Sequence, residues 1–359
     1  MADRSDNVFV LVMAGGRGTR FWPRSRRQLP KQCISIDGGP TLIQRTIQRV
    51  LPAVPAERIL VVTAAEMAPA IRAQLTELPP ENVLVEPEGR NTAPCIGWGS
   101  VEISKRARSP DAVMVVLPAD HVIEDEEEFR DLMLDCTQAA RSTNALVTIG
   151  IEPTHPDTGF GYLEVGGELG SWGDRSFLRV DRFVEKPDRA RAQGYVDGGR
   201  HLWNAGMFVF SVAAIRDAFR QHLPDTWAVL ENLRHSPERL AELYGQLERT
   251  SLDYGIMERS HNVLTVRGAF GWSDVGSWKA VADFLPESAL GRALCEAEVA
   301  VDAGDCVVHA PGKVVALVGV SELAVVDSGD ALLICPLDQV QRLREVIASL
   351  ESQGLVDYL

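Results

Sequence analysis

The sequence lacks the features that mark several classes of protein. Its six cysteines are scattered without a C-x-x-C pair, which argues against a zinc site and against a disulfide framework. No apolar run reaches the roughly 18 residues of a membrane span, and no basic segment followed by an apolar one opens the chain. We therefore expect a cytoplasmic protein with reduced cysteines, no membrane span and no leader.

Positive charge is also scarce. The chain has 36 lysines and arginines against 50 aspartates and glutamates, so its formal net charge is −14. Nucleic acids and anionic membranes bind to positive protein faces, and the composition therefore disfavours both as partners. An anionic substrate would need a local cluster of cations.

The first part of the chain alternates short apolar runs with helical patterns. The runs predict buried strands at Val8–Met13, 59–63, 113–117 and 146–149, and the patterns between them predict helices near 41–51, 66–75, 92–106 and 126–140. This alternation predicts a Rossmann-like, doubly wound α/β sheet, whose ligands bind beyond the carboxyl ends of the strands. Strands at 160–165, 178–184 and 206–211 and helices near 211–221 and 236–247 indicate a mixed sheet with a substrate-side insertion.

The pattern changes again after residue 285. Five short β-runs at 298–301, 305–309, 314–318, 324–326 and 332–335 precede a helical pattern near 338–350. We predict a large α/β domain at 1–285 and a small β-rich, β-helix-like domain at 286–359 that ends in a helix. The second domain is expected to pack on the first or on another subunit.

Residues 14–31 concentrate the cations that the rest of the chain lacks. The segment A-G-G-R-G-T-R-F-W-P-R-S-R-R-Q-L-P-K contains six cations and no carboxylate. Its glycines, Gly15, Gly16 and Gly18, let backbone N–H groups approach phosphate, and arginines bind phosphate bidentately. It fits neither a Walker motif nor a G-x-G-x-x-G fingerprint. A tight turn followed by a solvated basic segment is the alternative to a phosphate-binding loop.

The motif G-G-R-G-T-R followed by P-K resembles the signature of the sugar-1-phosphate nucleotidyltransferases. The details F-W-P-R-S-R-R-x-x-P-K-Q resemble the mannose-1-phosphate guanylyltransferase branch, although Cys33 stands where an aromatic residue is common. Further matching segments, in family order, are E-P-E-G-R-N-T-A-P at 86–94, L-P-A-D-H at 117–121, T-G-F-G-Y at 158–162, F-V-E-K-P at 183–187, W-N-A-G-M-F at 203–208 and G-W-S-D-V-G-S-W at 271–278.

The resemblance implies that GTP and mannose 1-phosphate react to GDP-mannose and pyrophosphate, with Mg²⁺ as cofactor and a homodimer as the assembly. It implies triphosphate contacts by Arg17, Arg20, Lys31 and Thr19 beside the three loop glycines, and metal binding by Asp120 and Asp274. Two carboxylates with substrate phosphates suit Mg²⁺, but either aspartate could instead cap a helix. No catalytic base is required, because a phosphomonoester is largely dianionic at neutral pH.

The resemblance also assigns the two ends of the substrate pocket. Glu86, Arg90, Asn91 and Thr92 would face the base, and Gly161, Glu185, Lys186 and Asn204 the sugar phosphate. The alternatives are a helix cap at 91–92, an exposed ion pair at Glu185–Lys186 and a turn at Asn204; His121 is expected to be structural. Competing functions are transfer to another sugar 1-phosphate or from another nucleotide, and a catalytically silent regulatory subunit. The latter would be expected to lack Arg20, Lys31, Asp120 or Asp274, and all four are present.

Overall fold

The computed structural model describes residues 5–107, 109 and 111–359. The strands are β1 (Val8–Met13), β2 (Ile59–Ala64), β3 (Val83–Glu86), β4 (Val113–Pro118), β5 (Val122–Ile123), β6 (Leu146–Ile151), β7 (Gly161–Trp172), β8 (Arg175–Glu185), β9 (His201–Ser211), β10 (Val263–Gly268), β11 (Trp272–Ser273), β12 (Glu287–Ser288), β13 (Gly291–Val301), β14 (Cys306–Val318), β15 (Leu323–Asp327) and β16 (Leu332–Pro336). The helices are α1 (Leu42–Val50), α2 (Ala68–Gln74), α3 (Thr92–Arg106), α4 (Glu126–Thr143), α5 (Arg189–Gly198), α6 (Val212–His222), α7 (Pro224–His235), α8 (Leu240–Tyr244), α9 (Leu252–Gly255), α10 (Trp278–Val281) and α11 (Leu343–Ser352).

Nine strands form one mixed sheet in the order β3-β2-β1-β4-β9-β6-β10-β8-β7. Strands β1 to β4 run parallel, whereas β9 runs antiparallel between β4 and β6, so that its first residues lie at the carboxyl ends of its neighbours. Alternate residues of β1 point into separate apolar clusters, one with α1, α2 and α4 and the other with α3, α6 and α7. The predicted doubly wound mixed α/β sheet is confirmed.

A second sheet has the order β12-β13-β14-β15-β16, with β13, β14 and β15 parallel. One apolar cluster of this sheet also includes residues from earlier in the chain. A third cluster packs Phe21, Trp22 and Trp278 against Val307 and Val326 of this sheet. The predicted β-rich C-terminal part is confirmed, and its core is continuous with the segment that follows β1.

Some predicted elements differ from the structure. The runs 305–309 and 314–318 are one strand, β14, because its pairing with β13 continues past a register shift near Cys295. The helix predicted near 236–247 is only α8, preceded by a short turn at Pro237–Arg239. The elements β3, β10, α5 and α7 were not predicted. In the part of the chain that the structure describes, each helix is too short or too polar to cross a membrane.

Candidate active site

A cavity of about 450 Å³ opens at the carboxyl ends of β1, β3 and β4, where the sheet topology predicts a ligand. Nine of the residues predicted from sequence line it: Gly15, Gly16, Glu86, Asn91, Thr92, Gly161, Glu185, Asn204 and Asp274. The other eight do not line it: Arg17, Gly18, Thr19, Arg20, Lys31, Arg90, Asp120 and Lys186. Several of these eight hold the lining residues in place.

Lys31 connects the two predicted metal ligands. Its side chain is almost fully buried, and its ammonium donates to Asp120 Oδ2 at 2.8 Å and to the backbone carbonyl of Asp274 at 2.7 Å. Gly18 makes this position possible: it has φ +63°, and a Cβ there would overlap the Cβ of Lys31. The absence of a side chain at Gly18 therefore makes room for Lys31, and a direct contact of Gly18 with phosphate stays a prediction.

The two aspartates have different electrostatic surroundings. Burial opposes ionisation of Asp120, but the Lys31 ammonium, His121 and hydrogen bonds to the carboxylate together hold the pKa of Asp120 below its usual value. Burial raises the pKa of Asp274, Lys31 and Arg20 oppose that rise, and the Asp120 charge adds to it. Asp274 is followed by the buried Val275 at φ 44°, a left-handed conformation that is unusual for a β-branched residue.

Asp120 and Asp274 do not form a complete protein cage for a metal. Within residues 5–107, 109 and 111–359 no group of three or more His, Cys, Asp or Glu side chains could hold an ion. A pair of carboxylates nevertheless fits Mg²⁺, which keeps waters and takes substrate phosphates as further ligands.

Most of the loop cations contact carboxylates of the protein. Arg17 pairs with Glu66 at 2.9 Å. Arg26 pairs with Asp330 at 2.8 Å and donates to the carbonyl of Tyr358 at 2.6 Å, while Arg27 pairs with Glu351. Burial lowers the pKa of Arg24, and Asp327 opposes the change. The basic segment is therefore neither a free solvated run nor wholly a phosphate site, because Arg24, Arg26 and Arg27 face the C-terminal part.

Glu86 lies buried at the end of β3, on the side of the cavity where the resemblance predicts the base. The Tyr244 hydroxyl donates to its Oε1, and burial raises the pKa of Glu86 against this hydrogen bond. Asn91 caps α3 by accepting from the Thr92 N–H at 2.8 Å, as the helix-cap alternative has it. The Arg90 guanidinium contacts Glu88 and the carbonyl of Leu247, so a contact of Arg90 with a base stays a prediction.

The side of the cavity where the resemblance predicts the sugar phosphate is built at the ends of β7, β8 and β9. Glu185 pairs with Lys186, and a Cβ on Gly161 would lie 2.6 Å from Glu185 Oε2. The buried Asn204 accepts on Oδ1 from Thr148 Oγ1 at 2.8 Å and donates through Nδ2 to Asp253 Oδ1 at 3.1 Å. Its oxygen is thus already occupied, and its second N–H is the group left for a sugar hydroxyl.

Four residues of this site were not predicted from sequence as functional: His121, Tyr244, Asp253 and Trp272. Trp272 Nε1 donates to His121 Nδ1 at 3.1 Å, and burial lowers the pKa of His121 to about 4 even though Asp120 opposes the shift. His121 is therefore neutral and presents an Nε2–H. His121 and Trp272 lie in two of the motifs on which the family resemblance depends, whereas Tyr244 and Asp253 lie outside those motifs.

Comparison with known proteins agrees with this geometry. A family model described as "Nucleotidyl transferase" matches residues 9–289, and one described as "MannoseP isomerase/GMP-like beta-helix domain" matches residues 296–350. The chain belongs to the nucleotidyl transferase family. The boundary of this nucleotidyl transferase between residues 285 and 286 stays a prediction.

Relatives of this nucleotidyl transferase extend over nearly its whole length. It is 34% identical to the alginate biosynthesis protein AlgA of Pseudomonas aeruginosa, over 97% of this chain and 73% of that protein. It is also 34% identical to a mannose-1-phosphate guanylyltransferase of Escherichia coli, over 97% and 74%. A crystal structure described as mannose-1-phosphate geranyltransferase from Thermus thermophilus superposes with a TM-score of 0.86 at 36% identity, covering 96% and 99% of the two chains.

Proposed function

We propose that this enzyme transfers the guanylyl group of GTP to mannose 1-phosphate, giving GDP-mannose and pyrophosphate. One observation carries the proposal: a single cavity is lined by Glu86, predicted to face the base, by Glu185 and Asn204, predicted to face the sugar phosphate, and by Asp274, a predicted metal ligand. Relatives at 33–34% identity that are named mannose-1-phosphate guanylyltransferase support the choice of substrates.

The chemistry needs positioning and charge neutralisation more than a protein nucleophile. A phosphate oxygen of the sugar phosphate, dianionic at neutral pH, would bond to the α-phosphorus in line while the bond to the leaving pyrophosphate breaks. Arg20, and Arg17 once released from Glu66, would bind the triphosphate with the N–H groups of Gly15 and Gly16. Lys31 would keep Asp120 ionised and in place.

Mg²⁺ is the cofactor that the donor set favours. Asp120 and Asp274 would hold it, and when bound it would neutralise charge on the reacting phosphates. Glu86 would select the base, since an ionised carboxylate is an acceptor only and guanine offers adjacent N–H donors on its pairing edge. Lys186, paired with Glu185, would contact the sugar phosphate. A homodimer stays a prediction, which a monomeric mass in dilute solution would contradict.

Pyrophosphate release tests the proposal. The purified protein would be assayed with Mg²⁺ and each of GTP, ATP, UTP and dTTP against mannose 1-phosphate and glucose 1-phosphate. We expect release with GTP and mannose 1-phosphate only. Release with another pair would keep the phosphate chemistry and reassign the pocket, and no release with any pair would favour the regulatory alternative.

A further inference from the structure

Asp253 is brought to the sugar side of the cavity from a distant part of the chain. It lies on the short helix α9, which is fixed to the start of α3 by two hydrogen bonds: Leu252 N–H donates to Thr92 Oγ1 at 2.9 Å, and Ala93 N–H to the carbonyl of Thr250 at 3.2 Å. The same segment supplies Glu258, whose Oε1 accepts from the Glu185 N–H at 2.9 Å. Residues 250–258 therefore connect the nucleotide-side helix to the end of β8.

A chain of hydrogen bonds orients the Asp253 carboxylate. The Gly206 N–H donates to the Asn204 oxygen at 3.3 Å, and Thr148 Oγ1 lies 2.8 Å from the same oxygen. These contacts orient the amide so that its nitrogen donates to Asp253 Oδ1 at 3.1 Å. Asp253 lines the same cavity as Glu185 and Asn204. A carboxylate has several lone pairs, so the two donors recorded for Asp253, the Asn204 amide and its own backbone N–H, leave acceptor capacity for a ligand in that cavity.

The charge on Asp253 is poorly compensated by the protein. Burial raises the pKa of Asp253 to about 7, and the neighbouring Glu185 adds to the shift. Lys186 opposes it, but the Lys186 ammonium makes its ion pair with Glu185. A second carboxylate beside Glu185 is thus unfavourable for the protein alone, whereas hydroxyl donors of a ligand would satisfy both groups.

Building on the function proposed above, we infer that Asp253 is a sugar-binding residue that accepts hydrogen bonds from hydroxyl groups of the hexose, alongside Glu185. Asn204 then has a second role as the positioning residue that presents Asp253. The ligand class is a hexose 1-phosphate, because Lys186 offers the cation for phosphate and the paired carboxylates offer only acceptors.

The test compares Asp253→Asn with Asp225→Asn, an exposed aspartate on α7. In Asp253→Asn we expect the KM for mannose 1-phosphate to rise about tenfold to a hundredfold, the loss typical of a hydrogen bond to a charged group, with the KM for GTP within about twofold. Asp225→Asn should match the wild type. An unchanged KM for mannose 1-phosphate, or an equal rise for both substrates, would overturn the assignment.

Two further measurements separate this role from a structural one. Monodeoxy analogues of mannose 1-phosphate should include one whose missing hydroxyl weakens binding to the wild type but not to Asp253→Asn. The unliganded variant should unfold at pH 8 at the wild-type temperature or above, because the cost of burying an ionised carboxylate is gone. A lower unfolding temperature, or equal losses for every analogue, would indicate a structural residue.

Titration calorimetry of mannose 1-phosphate binding tests the role of Asp253 independently of the proposed reaction. If the wild type binds the sugar phosphate and Asp253→Asn does not, the assignment stands even if no nucleotide supports turnover. If the wild type turns over while both proteins bind the sugar phosphate equally, the assignment fails and the proposed function stands. Absence of binding to the wild type overturns the assignment.

Discussion

Tyr244 and Glu86 are 158 positions apart in the chain, yet their side chains form a buried hydrogen bond behind the wall of the cavity. The tyrosine hydroxyl uses one oxygen of the carboxylate and so fixes the direction of the other. If Glu86 selects guanine, its selectivity depends on a residue that does not itself reach the cavity wall.

Replacing Tyr244 with Phe should therefore weaken base selection. Removing a hydrogen bond to a charged group costs about 1.5–3 kcal/mol, so we expect the preference for GTP over ATP to fall about tenfold or more while the KM for mannose 1-phosphate changes little. The comparison is the ratio of kcat/KM for the two nucleotides, with Tyr195→Phe on α5 as the matched control. An unaltered ratio would remove Tyr244 from this role.

Asp274→Asn should affect turnover and the unfolding temperature differently, because Asp274 is a predicted metal ligand. Because the pKa of Asp274 is raised in the folded protein, ionisation costs stability as the pH rises above the unfolded value, and an uncharged asparagine avoids that cost. We expect loss of most Mg²⁺-dependent turnover, with an unfolding temperature in EDTA at pH 8 no lower than that of the wild type. Near-normal turnover would show that Asp274 does not hold the metal.

The site residues that the sequence predicted stand in short motifs, where glycine, proline and charged residues cluster at the ends of strands. Asp253 and Tyr244 could not be predicted in this way, because only the packing of α8 and α9 against α3 brings Asp253 to the cavity and Tyr244 to Glu86. Gly18 was predicted as functional, but its partner is Lys31, thirteen residues along the chain, and no local pattern specifies that approach.

At the scale of elements, the buried strands β1, β2, β4 and β6 could be predicted because each is a continuous apolar run. Helix α5 could not, since Ala192 is its only buried residue and the helix has no apolar period. Strand β14 was wrongly divided in two because Pro311 and Gly312 resemble a turn, although the pairing with β13 continues beyond them.

The loop after β1 is connected to the C-terminal end of the chain. Trp22 Nε1 and Arg26 Nη1 both donate to the carbonyl of Tyr358, at 2.8 and 2.6 Å, and Arg26 also pairs with Asp330. These contacts restrain the segment that carries Gly18 and Lys31.

Arg26→Gln should loosen that restraint without unfolding the protein. We expect faster amide hydrogen exchange over residues 17–29 and a lower kcat, with unfolding free energy reduced by no more than about 1 kcal/mol because Asp330 is exposed. Arg342→Gln, which breaks an exposed pair with Glu345 at the start of α11, is the control. Equal exchange in the two variants would count against the restraint.

At the scale of the whole molecule, the second sheet shares an apolar cluster with segments that precede residue 286. Phe21, Trp22 and Trp278 pack with Val307 and Leu333, so this cluster extends across the predicted boundary at 285/286. Trp278 also donates from its indole to the carbonyl of Trp22 at 3.1 Å.

The full chain should therefore unfold in a single calorimetric transition, and a chain ending at residue 285 should aggregate or lose activity, because several large aromatic side chains would face water. The exposed Ile334→Ser variant, which leaves the shared cluster intact, should retain one transition and full activity. Two separate transitions in the full chain would contradict the shared core.

The shared cluster limits how freely the two parts can be recombined during evolution or in the laboratory. A hybrid that joins the first 285 residues to the β-rich part of a distant relative would place unfamiliar side chains beneath Phe21 and Trp22, directly under the loop that carries Lys31. When parts of two relatives are combined, residues 21–27 and the second sheet should thus come from the same parent protein, although they lie on opposite sides of the predicted domain boundary.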